Sequence, residues 1–363
     1  MPWGRAAALL ACLLSTVVFD TARGLSASVS HSDVRLSTIP RRVFVDNDGI
    51  VEPWPTESFV FFLIVEDEGS TPAEPLEARV ELLSRGEPVK IVELSAKALQ
   101  SVRAARFKTP RVGLSETFDL RHDFSAPVVL NVDRVRYRLT LTRGGAPFAA
   151  ELEIPLERFE PKAELICPVK GRFMIVASHD VNEPHAGGWS QQHAYDIMTL
   201  GSTFGFAANE GRRNEDYFSW GQPVLAPADG VVVFSRNEVP DQPRPGVVDV
   251  KLYERLPDPH SASTGNTVVI DHGNGEYSAL SHLQKGSVRV KAGQRVRRGD
   301  QIGRLGNSGS SELPHVHYQL MAGPDLFRSD GLPAHFTNVW IEAFTTQVTR
   351  VTKAKRGIPL TAR

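Results

Sequence analysis

The chain has 363 residues, long enough for two domains. Its 41% hydrophobic and 23% charged residues are ordinary for a soluble globular protein, which excludes a disordered or low-complexity chain. A formal net charge of −1 gives no electrostatic footprint for a nucleic-acid partner.

The N-terminus reads as an export signal. Arg5 supplies a positive start, and Ala6 to Phe19 is apolar apart from Ser15 and Thr16. That run is about 14 residues, short of the roughly 20 that span a bilayer. Residues 1–24 are therefore expected to be a cleaved signal peptide, with no stable membrane span afterwards. Cleavage removes Cys12 and leaves Cys167 as the single thiol. No intramolecular disulfide is then possible, and Cys167 is expected to be buried and structural.

Residues 25–160 read as an all-β accessory domain. Ser58 to Val65 is a strongly apolar strand. Leu76 to Leu82 alternates with apolar residues at even positions, and Val135 to Thr142 alternates likewise before the turn signal Arg143-Gly144-Gly145. Strands at this spacing suggest an immunoglobulin-like β-sandwich. Ser95 to Phe107 is the one segment expected to hold a short helix. His31 and His122 read as surface residues, and no chemical constellation stands out. The linker is Glu157 to Lys162.

From residue 165 onward the pattern changes. Gly221-Gln222-Pro223-Val224 and Gly293-Gln294-Arg295-Val296 echo each other, each followed by an apolar strand. Two insertions interrupt the pattern, 200–220 and the Pro- and Asp-rich 237–264. Insertions of this length in a compact domain are usually functional walls or disordered.

The densest chemistry lies at Leu313-Pro314-His315-Val316-His317. Two histidines at i and i+2 on a strand face the same way, so both imidazoles can reach one metal or a metal and its substrate. Upstream, His282 sits where the second strand of a Gly-Asn-Gly hairpin would end. Asp196 lies inside an apolar strand-like run, where a charge is costly unless paired or bound to a metal. It is the foremost oxygen ligand candidate.

Asp196, Gly221 to Val232, Ile270 to Gly275, Ser281-His282-Leu283, Val296 to Gly303, Asn307-Ser308-Gly309 and Pro314 to His317, in this order, resemble the LytM/lysostaphin-type zinc metallopeptidases. The resemblance covers about residues 165–345. It implies a metallopeptidase domain over 165–348, with 349–363 as a tail, folded as an open antiparallel β-sheet or barrel-like structure. It also implies one zinc per chain, held by a first histidine, Asp196 and His317, with His282 and His315 as the catalytic pair.

The first ligand departs from the simplest family pattern, because Gln192 stands four residues before Asp196. His185 and His193 are the candidates, with His179 a distant third. His185 is preferred, since three residues along a regular strand would turn His193 away from Asp196. Two histidines and a carboxylate are a usual catalytic zinc set with a fourth position left for water. No H-E-x-x-H is present, which excludes the helical zincin arrangement.

The implied function is an exported, periplasmic or cell-wall endopeptidase that cuts the peptide stems of bacterial peptidoglycan. Two alternatives compete. One is a non-catalytic relative that activates a cell-wall amidase; the other is a zinc peptidase acting on another exported protein.

Overall fold

The structure, a computed structural model, describes residues 33–47, 55–104, 116–177, 189–252, 256, 259–342, 348–351 and 358–363. The expected export segment, His31, His179 and His185 lie outside these residues. The chain divides into two compact units, Met1–Phe159 and Glu160–Arg363.

The first unit contains β1 (Val34–Ile39), β2 (Val43–Asn47), β3 (Thr56–Asp67), β4 (Glu74–Ser84), β5 (Glu87–Ser95), α1 (Ala96–Val102), β6 (Arg103–Ala104), β7 (Glu116–Pro127), β8 (Arg134–Arg143) and β9 (Ala146–Arg158). It is mainly β, as its alternating patterns predict. Phe59, Phe61, Leu63 and Val65 of β3, Val80 and Leu82 of β4, and Val135, Tyr137, Leu139 and Leu141 of β8 enter one apolar core. The hydrogen bonds do not divide these strands into two separate sheets. They run in one path of eight strands, β5-β4-β8-β9-β2-β3-β7-β6, with β1 beside β3; β2 pairs β9 in parallel and β3 antiparallel.

Three local features differ from expectation. Leu76, an even position of β4, is exposed because the β4–β8 register slips between Pro75 and Glu77, and that bulge turns it outward. His122 is buried rather than on the surface. Its ring packs against Phe61 and Phe124, and its Nε2 lies 2.8 Å from the Tyr137 hydroxyl. The helix is also shorter than expected. Ser95 caps its start, and the backbone is extended again at Arg103.

The second unit contains β10 (Gly171–Ala177), β11 (Tyr195–Thr199), β12 (Pro223–Leu225), β13 (Gly230–Ser235), α2 (Pro259–Thr264), β14 (Asn266–Asp271), β15 (Tyr277–Leu283), β16 (Arg295–Val296), β17 (Gln301–Arg304), β18 (Val316–Met321), β19 (Gly331–Leu332), β20 (Val339–Glu342), β21 (Val348–Val351) and β22 (Leu360–Ala362). The main antiparallel sheet runs β16-β13-β14-β15-β18-β11-β10-β22-β20-β21, with β19 beside β18. It is open and does not close into a barrel.

The sequence echo has a structural counterpart. β12 pairs β17 and β16 pairs β13, so each short strand joins the apolar strand that follows the other copy. At the centre lies β18, every residue of which is buried, flanked by β15 and β11. Cys167 is buried and unbridged. Burial pushes its thiol up to about 12, so it stays protonated and serves as packing.

Candidate metal and catalytic centre

The register of three strands assembles the site. His317 on β18 stands opposite Asp196 on β11 on one side and Ser281 on β15 on the other. His282 follows Ser281, and His315 immediately precedes β18. Four residues separated by up to 121 positions are thereby brought together. His317 Nδ1 lies 3.0 Å and His315 Nε2 3.4 Å from the same oxygen, Asp196 Oδ1. The His282 ring centre is 4.7 Å from that of His315 and 6.0 Å from that of His317. The i, i+2 pair does face one way.

Each imidazole is oriented by a hydrogen bond on its far side. His282 Nδ1 donates to the Ser308 carbonyl at 2.8 Å, and His315 Nδ1 donates to the Leu313 carbonyl at 2.7 Å. A neutral ring that donates from Nδ1 leaves Nε2 with a free electron pair. His317 is held the other way round. Its Nε2 lies 2.9 Å from Gln319 Oε1, and Gln319 is itself fixed by donating to the Leu326 carbonyl. Gln319 is two residues along β18 from His317 and therefore on the same face. That spacing could have revealed it in the sequence.

This pattern tests whether a metal suits the site. With Nε2–H committed to Gln319, a neutral His317 turns an unprotonated Nδ1 toward the Asp196 carboxylate. Two electron pairs then face each other across 3.0 Å, with the unprotonated Nε2 of His315 close by. A cation resolves such an arrangement, whether a proton shared between His317 and Asp196 or a metal ion. A carboxylate and imidazole nitrogens are a zinc donor set. The outer hydrogen bond from His317 to Gln319 is the kind that orients metal-ligating histidines. The residues present fit the group.

Among the described residues, no three His, Cys, Asp or Glu side chains are arranged as a complete metal site. His193 is buried in the turn before β11. His185 lies outside the described residues.

His282 sits in an unusual backbone. Its φ is +61°, a left-handed conformation that non-glycine residues seldom adopt, at a bulge where the β14–β15 register slips. The neighbouring Leu283 carbonyl accepts from both Asn266 Nδ2 and Ser308 Oγ, which holds the bulge in place. Nothing in the sequence signals this strain. Burial, followed by the charges that His315 and His317 would carry, holds the His282 pKa well below its ordinary value.

His272 bridges the Asp229 carbonyl and Ser278 Oγ, each at 2.8 Å, as a structural turn residue. His260 packs on Phe327, and His335 lies 3.9 Å from Glu160.

Residues 216–327 match the profile of Peptidase family M23. That span includes His282, His315 and His317 and begins 20 residues after Asp196. Over 101 residues the chain is 39% identical to the peptidoglycan DD-endopeptidase ShyA of Vibrio cholerae, covering 28% of this chain and 18% of that protein. Over 104 residues it is 30% identical to the cell division protein DipM of Caulobacter vibrioides, covering 29% and 13%. The chain thus spans less than a fifth of either relative. A solved zinc-containing peptidase from Vibrio cholerae is 15% identical over 76% of this chain and 80% of that one, with a TM-score of 0.26.

Proposed function

We propose that this chain, whose second unit carries a Peptidase family M23 domain, is an exported zinc-dependent endopeptidase that hydrolyses the peptide cross-links of bacterial peptidoglycan. The observation that carries the reading is the convergence of His317 Nδ1 and His315 Nε2 on one oxygen of Asp196, with His282 beside them. Asp196 and His317 would hold the zinc, with His185 as the third protein ligand. Zinc, when bound, supplies an acidified water and polarises the scissile carbonyl.

The remaining chemistry belongs to His282 and His315. Both present Nε2 as the unprotonated nitrogen, because both donate from Nδ1 to a backbone carbonyl. Either Nε2 can take the proton of the attacking water and return it to the departing amine. The other can donate to the oxyanion once protonated. Their Nδ1 hydrogen bonds keep both rings in the required tautomer throughout.

Peptidoglycan as substrate is supported by ShyA, described as a peptidoglycan DD-endopeptidase. Export is supported by the apolar N-terminal segment behind Arg5. Retention of Asp196, His282, His315 and His317 favours a peptidase over a non-catalytic activator. Incubation of purified peptidoglycan sacculi with the protein tests this, followed by separation of the released fragments. Loss of cross-linked dimers supports it. Intact cross-links in the presence of zinc would refute it.

A further inference from the structure

Ser308 supplies the carbonyl that holds His282, and the residues on either side of it are gripped by one residue from elsewhere in the chain, through its backbone and its side chain. Gln242, in the 237–264 insertion, is 1% exposed. Its backbone N–H donates to the Asn307 carbonyl at 2.9 Å, and its Nε2 donates to the Gly309 carbonyl at 2.8 Å. Three successive carbonyls are thus divided, with 307 and 309 on Gln242 and 308 on His282. Gln242 is fixed in turn. Its Oε1 accepts from the Asp249 N–H at 2.9 Å, and its carbonyl accepts from Asn214 Nδ2, in the 200–220 insertion, at 2.7 Å. Asp241, next to it, accepts from the Asn307 N–H at 2.7 Å and the Lys285 N–H at 2.9 Å, so the same segment also ties down the chain just after β15.

We propose that Gln242 is a positioning residue for catalysis: with Asn214 behind it, it fixes the Asn307–Gly309 turn so that the Ser308 carbonyl holds His282 in its strained backbone and in the Nδ1–H tautomer. The physical need is plain. A left-handed, bulged histidine persists only where its surroundings over-determine it, and a reacting nitrogen must be placed within a fraction of an ångström. Asn214 and Gln242, each buried within one of the two insertions, thus meet at the turn whose Ser308 carbonyl holds His282. The inference rests on the peptidase reading only in calling His282 catalytic.

The test uses the full-length, zinc-loaded protein and two variants. Gln242→Met keeps the length of the side chain and removes its polar atoms. Gln242→Glu keeps the acceptor for Asp249 and removes the donor to Gly309. Ring-nitrogen NMR of histidine-labelled protein follows the His282 Nδ1–H. Zinc content, kcat and KM are measured on a cross-linked muropeptide dimer.

The expected result is unchanged zinc content and unchanged KM. kcat falls roughly tenfold to a hundredfold, the scale of a misplaced reacting group, and the protected Nδ1–H signal of His282 is lost. A folded variant with the wild-type signal and kcat overturns the proposal. So does a rise in KM alone, which would assign the segment to substrate contact. So does free exchange of the His282 Nδ1–H in the wild-type protein. A wild-type protein that leaves the dimer intact defeats the peptidase reading instead, and the NMR comparison still decides the role of Gln242.

Discussion

His317 stands between two acceptors, Gln319 Oε1 on one side and the Asp196 carboxylate on the other, and its behaviour follows from which nitrogen carries the proton. Gln319→Leu removes the acceptor that holds Nε2–H in place. Zinc affinity, read by competition against a chelator, is expected to weaken by about 10- to 100-fold, the usual scale for an outer-sphere partner. Unaltered affinity would mean that Gln319 does not set the tautomer. His282→Ala and His315→Ala are expected to keep zinc and lose at least about a hundredfold in hydrolysis, as general acid–base groups do. Loss of the metal in either variant would make that residue a ligand.

In the first unit, burial lowers the His122 pKa from 6.5 to about 3, so the fold keeps this ring neutral. The unfolded chain binds a proton below 6.5 that the folded one refuses down to about 3. The contribution of His122 to stability is therefore full above 6.5 and declines as the pH falls toward 3, by at most about 1.4 kcal/mol per pH unit. Denaturation of the wild type and of His122→Phe across that window checks this. The variant should lose stability less steeply, and parallel slopes would contradict the assignment.

At the scale of the element, the candidate centre is a product of strand register and of one tight turn. Gly265 and Gly309 pack back to back with φ of +61° and +76°. A Cβ on Gly309 would meet the Gly265 backbone nitrogen at 2.3 Å, and one on Gly265 would meet the Ser308 carbonyl oxygen at 2.4 Å. Gly309→Ala should therefore displace the carbonyl that holds His282. The variant should lose about 1–3 kcal/mol of stability from strain and backbone clash, together with activity, while retaining zinc. Calorimetry, a hydrolysis assay and a zinc assay measure the three, and wild-type stability would show that the turn has slack.

In both units, several strands were legible in the sequence. Period-two alternation marks β4 and β8, and the i, i+2 spacing puts His315 and His317 on one face. Four features were not legible. The bulge at Leu76 and the left-handed His282 arise from register slips between strands, which no local pattern encodes. Gln242 and Asn214 look like ordinary polar loop residues, and only the fold carries them under Ser308. His122 was misread because a histidine within a polar stretch of β7 gives no sign that its face packs against Phe61 and Tyr137.

Over the whole molecule, the chain joins a mainly β first unit to a second unit whose open antiparallel sheet converges on one chemical centre. Among the described residues, no helix is long and apolar enough to cross a membrane. The N-terminal unit offers a core and surface ion pairs such as Arg136 with Glu153 and Glu81, which contribute little each in water. The central claim concerns the second unit: Asp196 and His317 form two thirds of a zinc site. Elemental analysis of the purified protein tests it most directly, with Asp196→Ala and His317→Ala alongside. The expected result is about one zinc per wild-type chain and loss of tight binding in both variants, because two remaining ligands hold a catalytic zinc poorly. Full zinc retention in both variants, or a wild-type protein that binds none, would contradict it.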